Sequence, residues 1–151
     1  MLALFVVGWW CTMAYWRISH QATITAQIDR IRLFCLDSLY RALYTGLLQH
    51  IVIRDNRLVN DQGQELVLDN ELVFGVLPGT YGPPGLPQAL VIDPVTFQGH
   101  MIVLHPSGVM NAGTLYLVNR TTKDGYALSS SVGAFGFLRR YRKRSSGWVA
   151  Q

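Results

Sequence analysis

Apolar positions divide the chain into two parts with different periods. Met1 to Trp16 reads MLALFVVGWWCTMAYW, an uncharged run that ends at Arg17. Beyond it Ile24, Ile28, Ile31, Cys35, Leu39 and Ala42 recur at steps of 4, 3, 4, 4 and 3 residues. That spacing keeps them on one face of an α-helix. A second row, Leu36, Tyr40, Leu43 and Leu47, starts only halfway along. The apolar stripe therefore widens toward its C-terminal end, and these residues with Leu39 are expected to pack on a sheet. No proline precedes Pro78. The pattern predicts a single helix occupying residues 1–50, apolar all round over 1–16 and amphipathic over 17–50.

From residue 51 to 151 the pattern becomes that of short strands. Candidates are Ile51–Ile53, Glu65–Leu68, Leu72–Val76, Ala89–Ile92, Met101–Leu104, Thr114–Val118, Tyr126–Ser129 and Phe137–Tyr141. Turn chemistry separates them at Asp61-Gln62-Gly63, Pro78–Pro87, Pro106-Ser107-Gly108, Lys123-Asp124-Gly125 and Gly133–Gly136. Asp124-Gly125 between two apolar runs is a hairpin signal. No segment here is long enough for helical crossovers, so a mainly antiparallel sheet is expected. The predicted class is α+β, a long N-terminal helix packed on a β-rich domain.

Composition adds the surroundings. Half of the 151 residues are hydrophobic and 15% are charged, against about a quarter charged in soluble domains. With a mean hydropathy of +0.20, this excludes a disordered chain and points to a membrane-embedded part, residues 1–16. Leu2, Leu4, Phe5, Val6, Val7, Trp9 and Trp10 are the candidate lipid-facing residues. The run has no basic residue before it and bulky residues where a cleavable signal needs small ones. Sixteen helical residues cover only about 24 Å of a ~30 Å hydrocarbon core. The net charge of +4 is concentrated in Arg139, Arg140, Tyr141, Arg142, Lys143 and Arg144, which hold five of the thirteen basic residues. Elsewhere eight basic residues face nine acidic ones. The basic run reads as a C-terminal tail suited to DNA phosphates, with aromatic residues for stacking, or to acidic partners or lipid.

Bond chemistry finds little footing. His20, His50, His100 and His105 lack metal-ligand spacing, and hydrogen-bonded histidines are the simpler reading. Ser107 lacks a nucleophile elbow, and the glycines of Gly75–Gly85 lack the Lys-Ser/Thr and helix of a phosphate loop. Asn119-Arg120-Thr121 is a formal glycosylation sequon in a turn. No cofactor and no small-molecule substrate are expected, and the chain is read as a non-enzyme. Cys11 and Cys35 lie about 36 Å apart on one straight helix, too far for a disulfide.

Two stretches carry a family resemblance. The N-terminal part, apolar and then amphipathic, is similar to a pilin helix. The series Ile102-Val-Leu-His-Pro-Ser-Gly108, Gly113-Thr-Leu-Tyr-Leu117, Gly125-Tyr-Ala-Leu-Ser129 and Val132-Gly133 resembles the C-terminal signature of minor pilins and pseudopilins of the GspH/FimT type. In that signature Pro106, Gly108, Gly113 and Gly133 are the turn positions. These proteins belong to type IV pili and type II secretion systems. The resemblance implies a single-pass inner-membrane subunit whose β domain lies in the periplasm. Its partners would be other pilin-like subunits and assembly proteins, at a filament tip or initiation complex. A DNA-binding role in uptake and a stand-alone anchored binding domain are the alternatives. The basic leader, the Gly before the peptidase cut and Phe-Thr-Leu-Ile-Glu have no counterpart at Met1. Five more residues would bring the apolar helix to about 31 Å, so an internal start or a truncation is the expectation.

Overall fold

The computed structural model describes the backbone of residues 2–130 and 137–151, and side chains from Tyr15 onward except Arg17 and residues 131–136. Its one long element is α1, Leu2–Thr45, a continuous helix of 44 residues. At about 1.5 Å per residue this rod is roughly 66 Å long. It stops five residues before the predicted end. Gly46 takes a left-handed φ of 70° and its N–H donates to the Ala42 carbonyl at 3.0 Å, the form of a glycine C-cap. Leu47 therefore lies beyond the helix. Thr45 and Gly46 are the stop signal; Leu47 merely continues the apolar spacing into the next segment.

Eleven strands follow among the described residues, in chain order β1 Gln49–Arg54, β2 Arg57–Asn60, β3 Glu65–Val67, β4 Leu72–Phe74, β5 Tyr81–Gly82, β6 Ala89–Leu90, β7 Met101–Leu104, β8 Gly113–Asn119, β9 Gly125–Ser130, β10 Arg139–Arg144 and β11 Gly147–Ala150. Two larger sheets result, a four-stranded β3-β2-β1-β7 and a five-stranded β11-β10-β9-β8-β4, with β5-β6 as a small separate pair. All the paired strands are antiparallel. The α+β class is thus as read from the sequence.

The first predicted helix row is the one that packs. Ile24, Ile28, Ile31, Cys35, Leu39 and Ala42 are all buried and join one core with Ile51, Leu58, Leu72, Ile102, Leu115 and Leu128 from the strands. The second row does not join it. Leu36 is only partly buried, and Tyr40, Leu43 and Leu47 are exposed at 67%, 45% and 64%. The stripe stays narrow because the first row already fills the space above the strands, and the second points roughly 110° away around the helix.

Polar ties fix the helix lengthwise. Gln27, itself buried, donates from its amide to the Asp69 carboxylate and accepts from the Asp69 N–H at 3.1 Å. Arg32 Nε donates to the Leu138 carbonyl at 3.1 Å. These bonds satisfy groups that burial would otherwise penalise, and they set where along the rod the strands sit.

Candidate functional site

Two surfaces stand out once the core is set aside. The first is the outward side of α1. Tyr15, Ile18, Leu33, Tyr40, Leu43 and Tyr44 are exposed, at up to 93% for Tyr44. They recur at helical spacing on one side, with Ala22 and Ala26 between them. The rod thus has two apolar rows, one sealed by strands and one bare. A surface helix ordinarily needs only the first. Asp29 interrupts the bare row and is held by Arg32 at 3.3 Å and Arg140 at 3.7 Å. The predicted packing residues Tyr40 and Leu43 thus sit on the opposite kind of surface from that expected.

The second is the basic run, and here the tail expectation is corrected. Arg139–Arg144 is β10, an inner strand flanked by β9 and β11. Pairing Arg140↔Leu128 and Arg142↔Tyr126 puts those two cations on the helix side of the sheet. There Arg140 meets Asp29, and Arg142 meets Asp124 at 3.4 Å while lying over the Tyr126 ring. Arg139, Tyr141 and Lys143 alternate onto the outer face. Lys143 Nζ donates to Thr80 Oγ1 at 2.6 Å. Among the described residues only Arg139 and Arg144 of the five cations have no side-chain hydrogen bond or ion pair, and Arg139 lies over the Phe137 ring. Period-2 alternation splits what the sequence presents as one charge cluster. β11 was unpredicted, and its signal was Ser145-Ser146 between two runs of β-forming residues.

Three of the four histidines each face one carboxylate. His20 lies 3.4 Å from Glu71, His50 3.1 Å from Asp61 and His100 2.7 Å from Asp93. Burial works to raise the Asp93 carboxyl, but the Val95 N–H and the His100 ring outweigh it and hold it below its ordinary value. Among the described residues no cluster of three His, Cys, Asp or Glu side chains could hold a metal ion. Asn119 is buried, with its carbonyl accepting from the N–H groups of Thr121 and Thr122 and its amide against His20. It serves as a turn cap.

Of the four expected turn positions, Pro106 and Gly108 lie in a turn, whereas Gly113 is not in a turn but opens strand β8. Gly108 has φ 85°, and its N–H donates to the His105 carbonyl at 2.9 Å. At Gly113 an added Cβ would come within 2.4 Å of the Phe97 ring, so only glycine fits. Gly133 lies outside the described residues. So do the side chains of Leu2, Leu4, Phe5, Val6, Val7, Trp9 and Trp10. Among the described residues no helix is long and apolar enough to cross a membrane.

No protein family, no curated protein and no solved structure matches this chain.

Proposed function

We propose that the chain is a minor pilin or pseudopilin-like subunit, working by side-to-side contact of long helices. The observation that carries this reading is the bare apolar row from Tyr15 to Tyr44 opposite a fully used buried row. Burying one such side chain is worth about 1.5–3 kcal/mol, so a row of this length supports a helix bundle. The sequence resemblance supplies the setting: an apolar start of the rod in the inner membrane, the β domain in the periplasm, and neighbours built alike. Arg32 and Arg140 around Asp29 leave a surplus of positive charge beside the row, which favours a neighbouring helix carrying a carboxylate there.

Site-specific photo-cross-linking of the full chain in its host tests this. A cross-linker replacing Leu33 or Tyr40 is expected to join the apolar helix of another subunit with the same helix-then-strands order. One replacing the exposed Val67 on β3 is expected not to. Adducts from Leu33 and Tyr40 confined to lipid, or none at all, overturn the reading and leave the stand-alone anchored domain. The nucleic-acid alternative has weaker support, because β10 divides its cations between two faces and most are engaged within the chain.

A further inference from the structure

The strands β5 and β6 and the loop between them form a flap that stands over the outer face of the five-stranded sheet. Its base is pinned to that sheet. The Trp148 Nε1–H donates to the Tyr81 carbonyl at 2.8 Å, and Lys143 Nζ to Thr80. At Gly82 the flap touches the sheet so closely that a Cβ would lie 2.0 Å from the Tyr116 hydroxyl. Further out the two surfaces part and leave a groove of about 610 Å³. That volume falls within the range of small-molecule sites, roughly 300–1,000 Å³.

The two walls differ in chemistry. The flap side is carbon: Leu86, Leu90 and Val91 line it, with Pro83 at its start. Leu86 and Leu90 are more than half exposed and belong to no core cluster. On the sheet side stand Thr114, Ser129, Tyr141 and Arg139. Two of those polar groups are already occupied with one another. Thr114 Oγ1 donates to Ser129 Oγ at 3.1 Å, and the Thr114 N–H donates to Thr96 Oγ1 at 2.8 Å. Asp93, also on the lining, is matched by His100 at 2.7 Å. Arg139 is the charged group of the lining left without a carboxylate among the described residues. The groove therefore offers apolar surface, the Arg139 guanidinium and an Asp93 carboxylate already engaged by the His100 ring, and few free partners for a chain of amides. A peptide would bury N–H and C=O groups against carbon at a cost, whereas a carbon body with a single anionic end would not.

We infer that this groove binds a small amphipathic carboxylate, its apolar body against Leu86, Leu90 and Val91 and its carboxylate on Arg139. A guanidinium holds a carboxylate through two parallel N–H···O bonds, which fixes the ligand's direction. This site is independent of the helix contacts proposed above, and it runs against the expectation that no small molecule is bound.

The test uses 4-phenylbutyrate as probe and its uncharged amide as comparison, with the purified full chain and saturation-transfer NMR. The same buffer without protein is the reference. The acid is expected to bind and the amide to bind at least about tenfold more weakly. Arg139→Met is expected to weaken the acid by a similar factor and leave the amide unchanged. Leu90→Asp, at an exposed position, should abolish acid binding. Arg144→Met, which removes an exposed cation outside the lining, is expected to leave binding as it was. Thermal unfolding of each variant confirms that the fold is kept. No transfer to the wild-type chain at up to about 10 mM probe overturns the inference. So does equal binding by wild type and Arg139→Met, or by acid and amide.

Discussion

Cys35 shows how far a single side chain's chemistry is decided by its place. It lies on the buried helix row, and burial pushes its thiol up to about 12. A thiol raised in this way is inert at neutral pH, because the thiolate is the reactive form. Its contribution to stability is complete below the ordinary thiol range, about pH 8.5, and is lost as pH rises toward 12, since only the unfolded chain then releases its proton easily. In a Cys11→Ser chain, a thiol reagent at pH 7 is expected to label Cys35 only as fast as the molecule unfolds, and immediately in denaturant. Rapid labelling of the folded chain would show that this helix face is open, and with it that the core assignment is wrong. Asn119 makes the complementary point, since its place in the fold engages both ends of its amide, as a turn cap and against His20.

Among elements, the helix divides cleanly into residues that hold the fold and residues that do not. Ile31→Ala removes buried side-chain carbon from the filled row and is expected to cost about 2–5 kcal/mol. Tyr40→Ala on the bare row is expected to stay within about 0.5 kcal/mol. Denaturant titration of the two variants checks this; comparable losses would mean that Tyr40 packs within the chain after all. The sequence foretold the filled row because its spacing runs unbroken from Ile24 to Ala42. It misassigned the second row because apolar character reports affinity for a nonaqueous surface, not whose surface it is. The helix end at Gly46 was also visible, as glycine after Thr45, but the continuing leucines masked it. Strands β2 and β11 escaped because they follow two-residue turns, Asp55-Asn56 and Ser145-Ser146, that lack glycine, and β5 because Tyr81-Gly82 lies inside the Pro78–Pro87 run read as a turn. Asp55 and Asn56 take left-handed φ values of 48° and 59°, the conformation a tight hairpin needs. Gln27 escaped as well, since a lone glutamine on a helix carries no pattern that announces a buried partner at Asp69.

At the scale of the whole molecule, the rod and the strands are joined along one line, and the joint thins toward the N-terminal side. Ile24 is the first buried residue of the apolar row, and Gln27 and Arg32 add their bonds within the same stretch. Earlier in the helix the attachment is His20, with Trp16 stacked on its ring at 5.1 Å. The geometry at His20 is over-determined. Because two N–H groups hold the Asn119 carbonyl, its amide N–H is the group that donates to His20 Nε2, 3.3 Å away. The ring proton then sits on Nδ1, directed at Glu71. Removing the imidazole breaks both bonds at once and unstacks Trp16 without touching the apolar row. Hydrogen exchange on His20→Ala should therefore show amides of residues 18–22 exchanging about 3–10-fold faster, in keeping with the ~0.5–1.5 kcal/mol of a hydrogen bond. Amides of 28–42 should keep wild-type protection. Faster exchange spreading through 28–42 would mean that His20 supports the core as a whole. Unchanged exchange at 18–22 would mean that the rod stands there without help from the strands. A joint graded in this way fastens the β domain to the C-terminal part of the rod and leaves residues before His20 without such bonds among the described residues, an arrangement that would suit the proposed helix-bundling subunit.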